Sequence, residues 1–116
     1  MKFSVLVAIV PEEMEQECID AARELGAGGI TILQGRGIAN EAKKSFFGLN
    51  YDGCQSVLLM VLEKQLSLQV LKTLKHLLDP EGTNSKGLVF TTALEHLAGI
   101  DMSQVTRFER TLKQTL

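Results

Sequence analysis

The 116-residue chain reads as an α+β domain, a ferredoxin-like βαββαβ sandwich with a long loop between its second and third strands. Three observations predict this. Short runs of β-branched and aliphatic residues alternate with two segments of helical period, and glycine- or proline-containing stretches punctuate them. One central stretch, residues 35–53, has no period at all.

Residues 3–10 form the first strand, a short apolar run that Pro11 ends. The acidic residues Glu12, Glu13, Glu15 and Glu17 suit the positive end of a helix over 12–25, where they read as a solvated, dipole-complementing face. Met14, Cys18, Ala21, Ala22 and Leu25 recur at helical spacing and Gly26 stands where a C-terminal cap is expected, so one face packs on a sheet.

Residues 29–34 give a second strand, and Gly35-Arg36-Gly37 is expected to end it, because successive glycines favour turns. The long polar loop that follows holds Lys43 and Lys44 beside Phe46 and Phe47. These four either make a partner-docking patch or tuck one aromatic back onto the core. A loop of this length inside a small domain points to function, and its polar, glycine-rich composition predicts poor order over 38–53.

Residues 57–62 are almost continuously apolar, as in a strand buried on both faces. Leu66, Val70, Leu71, Leu74, Leu77 and Leu78 then mark a second helix that Asp79-Pro80 stops. After the turn-rich residues 80–87 comes a fourth strand, 88–92, and a short apolar helical turn over 93–98. The domain therefore occupies 1–100, and 101–116 is a polar tail in which Ser103 would cap a helix carrying Val105, Phe108 and Leu112 on one side. A single chain offers helices for one face of such a sheet only, so partner subunits are expected on the other.

Charge narrows the function. Twelve basic against fourteen acidic residues give a net charge of −2 and argue against nucleic acid or an anionic membrane as partner. No apolar run approaches the roughly 20 residues that cross a bilayer, so no membrane insertion is expected. The start imitates a signal peptide, but Pro11-Glu12-Glu13-Met14-Glu15 follows without a small-residue cleavage site, so a cytoplasmic location is expected. Cys18 and Cys54 lack a partner spacing and read as reduced thiols; with His76 and His96 they assemble neither a metal site nor a catalytic set.

Across residues 3–100 the chain resembles the PII signal-transduction family, as a divergent member. The step Ile9-Val10-Pro11 is similar to the apolar-Lys-Pro end of that family's first strand, with Val10 in place of the lysine. Gly29-Ile30-Thr31-Ile32 resembles its Gly-Met-Thr-Val step, and Gly35-Arg36-Gly37 falls where a Lys-Gly pair enters the long T-loop. Residues 37–54 occupy the T-loop position, and 81–87 that of a Gly-Asp-Gly-Lys phosphate loop.

The resemblance implies a non-enzymatic regulator: a homotrimer whose lateral clefts bind an adenine nucleotide (AMP, ADP or ATP) while the T-loop engages a transporter or enzyme. It puts Thr31 and Gly37 beside the base and Lys86 near the phosphates, with Gly35, Arg36 and Gly87 completing the cleft. Arg36 either meets an anionic ligand or is a surface arginine. Backbone N–H groups of the 82–87 turn are expected to approach phosphate oxygens. Departures bear on the ligand: the lysine of Asn84-Ser85-Lys86-Gly87 is displaced, residues 93–100 lack arginine, the T-loop is shorter, and Tyr51 is outside the family's modification context. With fewer cations, AMP, ADP or a small anion is easier to hold than a triphosphate. A module of ACT or CutA type, binding an amino acid or a metal, is the alternative.

Overall fold

The computed structural model describes residues 2–38, 45–46, 49–50, 53–101, 103, 104, 107 and 110. Strand β1, Phe3–Pro11, alternates strictly: Ser4, Leu6, Ala8 and Val10 are buried while the intervening side chains are half-buried. A 3-10 turn, Glu12–Met14, leads into helix α1, Glu15–Leu25, which buries Cys18, Ile19 and Ala22. The helix expected over 12–25 thus opens with a tighter turn. Gly26, at φ 118°, closes it in the left-handed conformation expected of a capping glycine. Leu25 is 37% exposed and stands apart from the core face, which gains Ile19 instead.

Strand β2, Thr31–Gly37, starts later than expected and runs straight through Gly35-Arg36-Gly37. It pairs antiparallel with β5, Gly53–Glu63, from Thr31 opposite Leu59 to Gly37 opposite Gly53. The local preference of glycine for turns yields here to pairing, because glycine keeps the N–H and C=O that a ladder needs. The third major strand likewise begins at Gly53 rather than at 57, with Gly53 at φ 109°. Between them, β3 (Ser45–Phe46) and β4 (Leu49–Asn50) pair as a small antiparallel ribbon.

Helix α2, Lys64–Leu78, follows β5 at once. The Glu63 carboxylate accepts the amide hydrogens of Gln65 (2.9 Å) and Leu66 (3.1 Å), a side-chain N-cap, and Ser67, Val70, Leu74 and Leu78 are buried. Strand β6, Leu88–Ala93, completes a four-stranded sheet in the order β2-β5-β1-β6, antiparallel throughout. Both helices supply the core: Leu6, Ala8, Val10, Leu58, Met60 and Leu62 from the sheet meet Cys18, Ile19, Ala22, Val70, Leu74 and Leu78. Ser56, fully buried on this face, donates its hydroxyl to the Glu15 carboxylate at 2.7 Å and ties β5 to the start of α1.

Neither α1 nor α2 covers the other sheet face. Its rows run Thr31, Leu59, Val7, Phe90 and Leu33, Val57, Ile9, Leu88 across the four strands, with Val61 beside Val5. Val61 and Leu33 are each 49% exposed and Phe90 42%, although all three are apolar and flanked by apolar neighbours. Among the described residues, no helix is long and apolar enough to cross a membrane.

Residues 103, 104, 107 and 110 have helical backbone. Their cap is Asp101 rather than Ser103: the Asp101 carboxylate accepts the Ser103 amide at 2.9 Å and its hydroxyl at 2.7 Å, and these bonds hold it below its ordinary pKa. Val105, Phe108 and Leu112 lie outside the described residues.

Candidate functional site

An antiparallel β2-β5-β1-β6 order brings the end of β1, the start of β5, the end of β2 and the entry to β6 to one end of the sheet. There the turn between α2 and β6 folds back on itself. The Lys86 amide donates to the Leu78 carbonyl at 2.9 Å, Asn84 to the Asp79 carboxylate at 3.3 Å, and Gly82 to the Asp79 carbonyl at 3.3 Å. The Ser85 hydroxyl donates to the Gly87 carbonyl at 2.5 Å and accepts the Gly87 amide at 3.3 Å.

These bonds change the role expected of the turn. The amides of Gly82, Asn84, Lys86 and Gly87 serve the turn and the helix end, so contact with an anion is left to the Lys86 side chain and the amides of Thr83 and Ser85. Gly87 is needed for packing: a Cβ there would lie 2.7 Å from the Ile9 carbonyl oxygen and 3.0 Å and 3.2 Å from the two Leu78 methyl carbons. Its missing side chain lets the turn press onto β1.

Between this turn and the sheet end lies a cavity of about 450 Å³, within the range of small-ligand pockets. One wall is Pro11, Glu12 and Glu13, the floor is Cys54 and Gln55, and the other wall is Asn84, Ser85 and Lys86. Gln55 is buried, whereas Glu12, Glu13, Cys54 and Lys86 are exposed. Among the described residues, neither carboxylate forms an ion pair with the Lys86 ammonium. The opposed charges face the cavity without neutralising each other.

The sequence-derived residues divide around this cavity. Lys86 is in its wall, with Gly87 just behind. Arg36 pairs with Cys54, Gly35 with Gln55 and Gly37 with Gly53, so the three sit at its margin, with Arg36 on the same sheet face as Cys54. Thr31 does not join them: it is opposite Leu59, roughly 13 Å farther along β5 at about 3.4 Å per residue, and on the open face. Lys43, Lys44 and Phe47 lie outside the described residues, and the Phe46 backbone pairs with Leu49. Sequence reading missed Glu12, Glu13, Cys54 and Gln55 as pocket residues, and reached Asn84 and Ser85 only as part of the 82–87 turn. The available signal was topological, since this strand order puts positions 11–13, 54–55 and 84–86 at one end.

The two thiols differ in setting. Cys18 is buried in the core, and burial, aided by the neighbouring Glu17 charge, pushes its pKa up to about 11, so it stays protonated and inert. Cys54 is exposed on the cavity floor.

No family model and no curated protein matches this chain. Solved structures do. It is similar to a PII-like signaling protein from Thermus thermophilus (TM-score 0.61, 17% identity, covering 81% of this chain and 88% of that one). It is also similar to CPII from Thiomonas intermedia bound to ADP, AMP and acetate (TM-score 0.60, 16% identity, 84% and 90% covered). A third likeness is to Arabidopsis thaliana PII bound to citrate (TM-score 0.60, 22% identity, 80% and 78% covered). The strand order, the two helices on one face and the separate ribbon between β2 and β5 thus give this chain the fold of the PII-like signalling proteins.

Proposed function

We propose that this chain is a divergent PII-like regulator, and not an enzyme, that binds a small effector at clefts between subunits and controls a transporter or enzyme through its 37–54 loop. The observation that carries this reading is the 450 Å³ cavity at the sheet end, walled by an uncommitted Lys86, in a fold whose solved neighbours include one bound to ADP and AMP. The effector is an adenine nucleotide, AMP, ADP or ATP, or a small anion. Thr31 enters the site from a second copy, because within one chain it lies roughly 13 Å along the sheet from Gln55 at about 3.4 Å per residue. The apolar open face supplies the contact for a cytoplasmic homotrimer: leaving Val61, Leu33 and Phe90 in water forgoes the roughly 25 cal/mol per Å² that burial returns.

Titration calorimetry with AMP, ADP and ATP tests the reading. Lys86→Ala should weaken ADP by on the order of 1–3 kcal/mol, the range of a charge-assisted hydrogen bond. Equal affinities would remove Lys86 from the site. No heat with any of the three would refute a nucleotide effector.

A further inference from the structure

We infer that Glu12 and Glu13 are the selectivity residues of this cavity, limiting the negative charge it accepts and so excluding triphosphates in favour of ligands with one or two phosphates. This rests on the proposed effector site and assigns its discrimination to two residues. The cavity presents two carboxylates on one wall and one ammonium on the other, and no ion pair among the described residues neutralises them. Arg36 adds a further cation only at the margin, across from Cys54.

A first phosphate can sit against Lys86. Each later phosphate adds negative charge to a cavity lined by two carboxylates, whose repulsion reaches over a Debye length of about 8 Å, and among the described residues no further cation lines the walls. The turn has few backbone donors left to compensate with, because the amides of Gly82, Asn84, Lys86 and Gly87 are already committed, which leaves that of Ser85 among the residues of the Lys86 wall. Glu12 and Glu13 complement the helix dipole without being its sole acids. Both stand in the 3-10 turn ahead of α1, whose own first turn already holds Glu15 and Glu17.

The experiment is calorimetric titration of AMP, ADP and ATP, without divalent metal and at low ionic strength, on the wild type, the double variant Glu12→Gln/Glu13→Gln and the control Glu24→Gln. Glu24 is exposed near the far end of α1. A urea titration of each establishes that all are folded. The wild type should bind AMP and ADP more tightly than ATP, with a gap that narrows as salt is added. In the double variant ATP should gain on the order of tenfold and AMP no more than about threefold, as expected for screened charge repulsion that grows with ligand charge. The control should match the wild type. A wild type that prefers ATP, or a double variant in which all three affinities move together or not at all, overturns the assignment while leaving the site reading intact. Absence of binding by any nucleotide to any of the proteins overturns both.

Discussion

Replacing Gly87 by alanine adds one methyl group where three atoms already stand. The new Cβ would meet the Ile9 carbonyl oxygen at 2.7 Å and the Leu78 methyls at 3.0 Å and 3.2 Å. Leu78 can rotate only into a packed core, being 1% exposed, and the Ile9 oxygen belongs to a strand held on both sides. Relief must come from moving the turn, against the Lys86 to Leu78 hydrogen bond of 2.9 Å. Overpacking of this kind costs about 1–3 kcal/mol. Taking about 2 kcal/mol and a urea m-value of about 1.5 kcal/mol per molar, the unfolding midpoint should fall by roughly 1.3 M with m unchanged. Gly28→Ala is the matched control, because nothing lies within 4 Å of its added carbon and its φ is not positive; it should be neutral or stabilising by up to about 1 kcal/mol. A Gly87→Ala midpoint no lower than that of Gly28→Ala would refute the packing argument.

Light scattering should find the wild type as a trimer and Val61→Lys, in the middle of the open apolar face, as a smaller species; a wild-type monomer would remove the interface. Ser56→Ala should destabilise the fold by about 1–2 kcal/mol in urea melts, as it leaves the Glu15 carboxylate without its hydroxyl donor from β5. With a thiol reagent at pH 8, one equivalent should react quickly through Cys54 and the second only on unfolding, since Cys18 remains a buried thiol up to a pKa of about 11. The sign for stability follows: the folded state holds the Cys18 proton longer than an unfolded chain whose thiol loses it near 9.0, so folding weakens as pH rises between those values.

Local periodicity carried the fold as far as periodicity reaches. The alternation of 3–10 and the helical spacing of Val70, Leu74 and Leu78 are properties of neighbouring residues, and both survive intact in β1 and α2. The ends of β2 and β5 are not local. Gly35 and Gly37 extend a strand only because Gln55 and Gly53 lie across from them, partners 20 and 16 positions away that no window over 29–37 contains. The same limit governs the site. Lys86 could be singled out from its turn, but Glu12 and Glu13 resembled ordinary acids before a helix, and Cys54 an incidental thiol, until antiparallel pairing set them around one cavity. Ser103 and Asp101 are both good capping types two positions apart; the bonds formed by Asp101 decide between them.

The turn over 79–87 is held by its own hydrogen bonds, and that separates the frame of the cavity from its chemistry. Exchanging Lys86 or the glutamates alters what the cavity attracts without breaking any of the bonds that hold the turn to Leu78 and Asp79. Gly87 is the opposite case, fixed by packing and unable to vary without shifting the wall. Under the proposed function, a scaffold divided in this way could be addressed to a new effector by exposed side chains alone, and an engineer seeking that change would leave 87 untouched and randomise 12, 13, 84 and 86.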